Sequence, residues 1–268
     1  MNKQELLKKY NEEEKLLISK VLDKIKFVKE KNRIETTDFL NMYEQKIIKE
    51  ILNKIKEENY ILYGGFETAE RKLILFYPEK LESVFKEKIP DFNQYIEVAR
   101  IELPNEMNGK YIHKNYLSGL MKLGVKREKI GDIVVADDGA DILVKPDILK
   151  FLLQNLPELK RFSKSKIKQI EIENLRKPNI QKEEITIIVQ TLRLDSIVAE
   201  IANVSRNKAN TFITSERVLV NYMVETKISK EIKIEDTITI RGKGRFIVKA
   251  QEGTSKKGKK IITVEKFK

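Results

Sequence analysis

The chain of 268 residues contains no cysteine and no tryptophan, and its single histidine is His113. Without cysteine there is no disulfide framework, no thiolate nucleophile and no sulfur-ligated zinc cluster, and one histidine excludes paired-histidine metal sites. Any histidine-dependent triad would have to use His113. No apolar run approaches the roughly 18 residues that a membrane-spanning helix needs. The opening Met1-Asn2-Lys3-Gln4-Glu5 is too acidic and polar for a secretory leader. Zero cysteine is compatible with a reducing cytoplasm, so the expectation is a cytoplasmic protein with no cofactor, no metal and no membrane span. Aromatic residues are few, at 7%, so stacking on bases is possible without being advertised.

Charge is abundant: 53 Lys or Arg stand against 41 Asp or Glu, a formal net of +12. The excess is unevenly spread. Residues 185–268 hold 17 basic against 9 acidic side chains, whereas residues 1–184 hold 36 against 32. A basic final third is the electrostatic footprint of a module that neutralises phosphates and releases their counterions. A solvated basic surface is the competing account, because net charge informs only weakly about partners.

Periodicity divides the chain further. Leu17, Val21, Ile25 and Val28 fall at helical spacing and predict a helix over 3–30. A second helix is predicted at about 42–58, with Asn41 as N-cap, Glu44 completing a capping box, and an apolar stripe through Ile47, Ile48, Ile51, Leu52 and Ile55. From Tyr60 the period becomes strand-like, at 60–63, 73–77 and 96–103, with Gly64-Gly65, Pro78 and Pro104 as punctuation. A helix at 115–123 follows, then strands at 133–135 and 142–144 around Asp137-Asp138-Gly139. Pro146 opens another helix, and 167–172 reads as a further strand. The fold class is therefore α+β: an N-terminal helical unit over 1–59, a central α/β plait-like domain over 60–173, a polar linker over 174–184, and a small αα-β domain over 185–268.

In that last domain Leu192-Arg193-Leu194-Asp195 precedes one short amphipathic helix, and Ser205-Arg206-Asn207-Lys208-Ala209 can cap a second. Val218-Leu219-Val220-Asn221 and Asp236-Thr237-Ile238-Thr239-Ile240-Arg241 then supply a small sheet. Arg193, Arg206 and Lys208 are expected along one exposed edge, where Arg forks and Lys point charges meet phosphate oxygens. Four elements in this order resemble the S-four RNA-binding module, named for ribosomal protein S four. The resemblance implies that Asp195 is structural, bridging basic neighbours, while Arg193, Ser205, Arg206 and Lys208 face RNA. It also matches the module's later turn to Arg241-Gly242-Lys243-Gly244-Arg245. Glu216 stands where the module usually has glycine, which implies a locally altered turn.

Two other stretches narrow the resemblance. Gly64-Gly65-Phe66-Glu67-Thr68-Ala69-Glu70-Arg71-Lys72, and the segment from His113-Lys114-Asn115-Tyr116 to Lys126-Arg127-Glu128-Lys129-Ile130-Gly131-Asp132, look like signatures of the bacterial YlmH family. That family commonly shows Arg-Asp after the histidine, where Lys114-Asn115 stands here. The resemblance implies a non-enzymatic protein that binds rRNA and tRNA on the large ribosomal subunit and acts in ribosome-associated quality control. There it would hold peptidyl-tRNA while a tailing factor brings alanyl-tRNA to the stalled chain. A division-septum role is also attached to the family.

Other readings stay open. Lys122, Lys126, Arg127 and Lys129, beside His113 and Lys114, could form a second RNA-facing surface or a solvated helix end. Arg71 and Lys72 are available to phosphate above the Gly64-Gly65 turn. Asp137, Asp138 and Asp141 could hold a hard cation, but calcium-loop spacing is missing and a hairpin turn fits better. The functional alternatives are an RNA-modifying enzyme, for which neither an adenosylmethionine loop nor a uridine-isomerising signature is found, and a septum adaptor.

Overall fold

A computed structural model describes residues 6–178, 182–255 and 257–267. The chain divides into two compact units, 1–179 and 180–268.

In the first unit, helix α1 (Glu12–Lys31) starts under Asn11, whose side chain accepts from Glu14 N–H while the Glu14 carboxylate accepts from Asn11 N–H. This reciprocal cap satisfies two otherwise orphaned donors and fixes the start. The predicted helix over 3–30 is therefore interrupted. Residues 8–10 form a turn and bend, so the apolar pattern runs through a break that the cap at Asn11 closes; residues 1–5 lie outside the described residues. Helix α2 (Met42–Ile55) begins with the expected box between Asn41 and Glu44, and it ends earlier than 58 because Lys56 adopts the left-handed conformation.

Strands β1 (Glu35–Thr36), β2 (Tyr60–Tyr63) and β3 (Leu73–Phe76) form an antiparallel sheet in the order β1-β3-β2. The side chains of β3 are buried on both faces. Ile74 and Phe76 join the core of α1 and α2, while Leu73 and Leu75 join Val98, Val134 and Leu143. Segments 60–63 and 73–76, placed by sequence in the central domain, thus find their sheet partner on the N-terminal side. The N-terminal helices rest on a sheet and do not stand as a purely helical unit.

A short helix, α3 (Glu82–Glu87), leads to the plait. It comprises β4 (Glu97–Glu102), α4 (His113–Lys122), β5 (Ile130–Ala136), β6 (Gly139–Val144), α5 (Pro146–Asn155) and β7 (Lys166–Ile170). The sheet order is β5-β6-β4-β7, antiparallel throughout, which is the split βαβ arrangement expected of a plait. Asp137-Asp138 form the two-residue turn between β5 and β6. Helices α4 and α5 bury Tyr116, Leu120, Leu149 and Leu152 against Ala99, Ile101, Ile142 and Val144. Beyond β7, Leu175 packs into the core and Arg176 binds Asp138 and Asp141, so the start of the expected linker is anchored. Arg100 takes the remaining side of buried Asp141 at 2.7 Å, so these carboxylates are matched by guanidinium groups.

The second unit contains β8 (Lys182–Val189), α6 (Leu194–Ala202), α7 (Arg206–Thr214), β9 (Val218–Val220), β10 (Met223–Val224), β11 (Thr237–Ile240), β12 (Gly244–Thr254) and β13 (Lys260–Phe267). Its antiparallel sheet runs β10-β9-β11-β12-β13-β8. Both helices bury apolar faces, including Ile197, Val198, Phe212 and Ile213, with Val218, Ile238, Phe246 and Val264 of the sheet. The strand beginning at Lys182 shortens the expected linker from its other end.

Candidate nucleic-acid interface

In the second unit the N-termini of α6 and α7 meet around one carboxylate. Arg193 is the N-cap residue of α6, Asp195 lies in its first turn, and Arg206 is the first residue of α7. The Asp195 side chain is 3% exposed. It accepts from Arg193 Nε at 3.1 Å and from Arg206 at 2.8 Å (Nε) and 2.7 Å (Nη2). Burial alone would push this carboxyl up, but the donated bonds from Arg206 and Arg193 outweigh it and hold the group below the usual carboxylate range. Both arginine side chains remain about half exposed, so Asp195 orients two forks that stay open to solvent. Ser205 caps α7 as expected, its Oγ accepting from Lys208 N–H at 3.3 Å.

Lys208 departs from the single edge expected of Arg193, Arg206 and Lys208. At about 100° per residue, positions two apart on a helix diverge by about 200°. Arg206 accordingly turns toward α6, while the Lys208 ammonium lies 5.7 Å from the centre of the Phe212 ring. Arg217, missed in the sequence, lies 4.5 Å from that ring and donates from Nη2 to the carbonyl of Arg241 at 2.8 Å. Its own carbonyl accepts from Arg241 N–H, which ties the 241–243 turn to the end of α7. Arg241 and Lys243 are exposed, with Gly242 and Gly244 at positive φ on either side of Lys243. A third group forms across strands, where Arg245 at 4.0 Å and Lys182 at 5.1 Å flank Phe267. Lys182 could not be found by motif, because its neighbour is set by the pairing of β8 with β13. The expected cationic ledge thus resolves into three clusters, around Asp195, Phe212 and Phe267.

The turn at Glu216 is not altered by its carboxylate. Glu216 adopts φ +58°, the left-handed conformation glycine would take, and Arg217 N–H closes on Phe212 O at 3.0 Å.

In the first unit the structure joins the two stretches 64–72 and 113–132. The Asp132 carboxylate accepts from Glu70 N–H at 2.6 Å and Arg71 N–H at 3.1 Å. Arg71 in turn donates from Nε to Ile130 O at 2.9 Å and from Nη2 to Phe39 O at 2.8 Å and Arg127 O at 3.2 Å. Arg127 donates from Nη1 to Ile130 O at 2.7 Å and Gly131 O at 3.2 Å. Desolvation, aided by the neighbouring Arg71 charge, lowers Arg127 to about 10. Arg71 and Arg127, expected to meet phosphate, therefore serve as clamps on backbone carbonyls. Lys129, also expected to meet RNA, is engaged by Asp38 at 2.9 Å and Asp147 at 2.8 Å. Lys72 reaches Glu67 O at 3.3 Å.

Gly65 at φ +95° closes the signature turn, and a side chain there would strike Leu143. His113 stands on the first turn of α4, exposed at its outer edge. Partial desolvation first, and then the Arg127 charge, move its imidazole below the ordinary range. Lys114 and Lys126 are exposed, and among the described residues neither forms an ion pair. The structure thus separates Lys114 and Lys126, which face solvent, from Arg71, Arg127 and Lys129, which are spent internally.

Two family models match the chain. "YlmH, N-terminal" covers residues 13–81 and "Putative RNA-binding domain in YlmH" covers residues 87–174, together more than half of the sequence. The second contains the whole plait. A curated relative from Bacillus subtilis (strain 168), "Ribosome-associated protein quality control protein P2", is 29% identical over 262 residues, covering 97% of each chain. Among solved structures, "Cell division protein ylmH from Streptococcus pneumoniae" is 20% identical with a TM-score of 0.47, covering 62% of this chain and 97% of its own. Two models of one family, matching consecutive segments whose signature stretches bond directly to each other, place the chain in the YlmH family.

Proposed function

We propose that the protein is a non-catalytic, cytoplasmic RNA-binding factor that docks on structured rRNA and tRNA of the large ribosomal subunit in ribosome-associated quality control. The observation that carries this reading is the pair of half-exposed guanidinium forks, Arg193 and Arg206, oriented by one buried carboxylate where two helix N-termini meet. Forks held in place lose little freedom on engaging phosphates, and aligned helix N-termini add backbone N–H groups and positive dipole ends. This arrangement supports an S-four-type module over 185–268, with Ser205, Lys208, Arg241, Lys243 and Arg245 as flanking contacts. The names of the family's central domain and of the Bacillus subtilis relative are in keeping with the reading. Electrostatic docking would come first, followed by shape-selective positioning. Held against the subunit in this way, the protein would steady peptidyl-tRNA while a tailing factor extends the stalled chain.

The test is co-sedimentation of the R193Q/R206Q variant with large ribosomal subunits, its fold checked by circular dichroism. Loss of binding with an unchanged spectrum is expected, and undiminished co-sedimentation would reject docking through this pair. Charge reversal at Arg206 is a poorer test, because a second carboxylate beside buried Asp195 disturbs the fold itself. RNA from a deletion strain should keep every base modification; a missing one would point to a modifying enzyme.

A further inference from the structure

The strongest unassigned feature is a cleft of about 1040 Å³ in the plait, between α4 and the segment that follows α5. Tyr111, Leu117, Met121 and Leu159 provide its apolar surface, and Lys114, Lys122, Lys160 and Arg161 are its charged residues. Among the described residues, no carboxylate lines it. All four cations are exposed, and none forms an ion pair among the described residues. That contrasts with Lys129, held between two aspartates.

The cleft is held in shape. Tyr111 donates from its hydroxyl to Arg161 O at 2.9 Å, and its ring meets Tyr116 and Phe162 edge-on at 5.9 and 6.0 Å. Arg161 Nη1 donates to Ser118 Oγ at 2.6 Å and also to Asn115 O, so the guanidinium is fixed against α4. Gly119 allows this approach, since a Cβ there would lie 2.7 Å from the Phe162 ring.

From this geometry we propose that the cleft binds a segment of unpaired RNA, with a base against the apolar surface and the flanking phosphates on Lys114, Lys122, Lys160 and Arg161. A single strand alternates flat apolar faces with regularly spaced negative charges, which is the pattern the lining complements. A duplex offers phosphates but keeps its bases stacked inside. An acidic peptide supplies charge without the planar face. The volume is at the upper end of the roughly 300–1,000 Å³ typical of small-ligand sites, and the cleft is open, which suits a strand passing through. The inference rests on the RNA-binding reading above and adds to it a second contact surface, in the first unit.

The experiment measures fluorescence anisotropy of a short labelled single-stranded RNA, and of a blunt RNA duplex of the same length, with the full chain. For K122E/K160E, whose altered side chains are exposed, affinity for the single strand is expected to fall about tenfold or more at constant melting temperature. For K122Q/K160Q the slope of log K against log salt should be less steep by about 1.4, since each phosphate contact on a single strand contributes about 0.7. Crosslinks from 4-thiouridine in the oligonucleotide should fall on residues 111–122 or 159–161. Unchanged single-strand affinity in both variants, an equal loss for the duplex, displacement of the RNA by an acidic peptide, or no binding of the single strand by the wild-type protein would each overturn the inference. The R193Q/R206Q result separates the two ideas. Lost co-sedimentation with undiminished cleft-variant binding rejects the cleft alone, and the reverse pattern rejects only the C-terminal dock.

Discussion

Replacing Asp195 by Asn keeps its shape and removes its charge, leaving Arg193 and Arg206 to repel each other beside a neutral amide. Because the carboxylate is buried but both arginine side chains are half exposed, the expected loss is about 1–2 kcal/mol, measured by urea denaturation. The pH dependence has a definite sign. The Asp195 carboxyl titrates below its unfolded value in the folded chain, so its contribution is present above the ordinary carboxylate range and disappears as pH falls through the depressed value. The stability gap between wild type and Asp195→Asn should therefore close in acid, and a gap that widens there would contradict the pairing. At Glu216 the expectation is opposite. A side chain held in the left-handed region costs roughly 1–2 kcal/mol, partly offset by glycine's greater freedom when unfolded, so Glu216→Gly should stabilise by about 0.5–1 kcal/mol in the same assay. The bridging role of Asp195 was legible through resemblance to a known module. The conformation of Glu216 was not, because residue identity alone does not say whether a turn changes shape or tolerates strain.

At the scale of elements, α4 depends on a residue that contributes nothing but absence. Adding a methyl at Gly119 places it 2.7 Å from the Phe162 ring, and that ring is stacked against buried Tyr116 at 5.8 Å. Gly119→Ala is expected to cost about 1–3 kcal/mol, read as a lowered melting temperature, because a packed ring cannot move aside without disturbing its neighbour. The plait itself was legible, since its strands alternate with helices and Asp137-Asp138-Gly139 marks the hairpin. The break before α1 was hidden, because Leu6 and Tyr10 are buried with the same core as Ile18 and Val21, so the apolar pattern continues while the backbone does not. Arg71, Arg127 and Lys129 were misread for a related reason. Arg71 and Lys129 find their partners on distant segments that no local spacing records, and Arg127 folds back on the carbonyls of Ile130 and Gly131 just ahead of it, a conformation its spacing does not show. Lys160 and Arg161 escaped notice because they belong to an irregular segment with no motif, and only folding brings them to Lys114 and Lys122.

Considered as a whole, the molecule has two compact units that the chain completes one after the other. The C-terminal core contains Ile197, Phe212, Val218, Ile238, Phe246 and Val264 and draws on no residue before 182 among those described. A fragment spanning 180–268 is therefore expected to fold alone with a single cooperative thermal transition by circular dichroism. It should also retain most of the salt-dependent attraction to RNA, since it holds 17 basic against 9 acidic residues from position 185 onward. A fragment without a cooperative transition would show that the two units depend on each other for folding.

The double burial of β3 sets a schedule for synthesis. Its Leu73 and Leu75 face a layer that includes Leu143, which leaves the ribosome roughly 67 residues after Phe76. At about 5–20 residues per second this is an interval of several seconds. During it a four-residue apolar strand lacks half its cover, so the newborn chain is sticky before its central domain arrives. Cutting the gene between the two family segments would make that interval permanent, and the stub should precipitate or recruit chaperones.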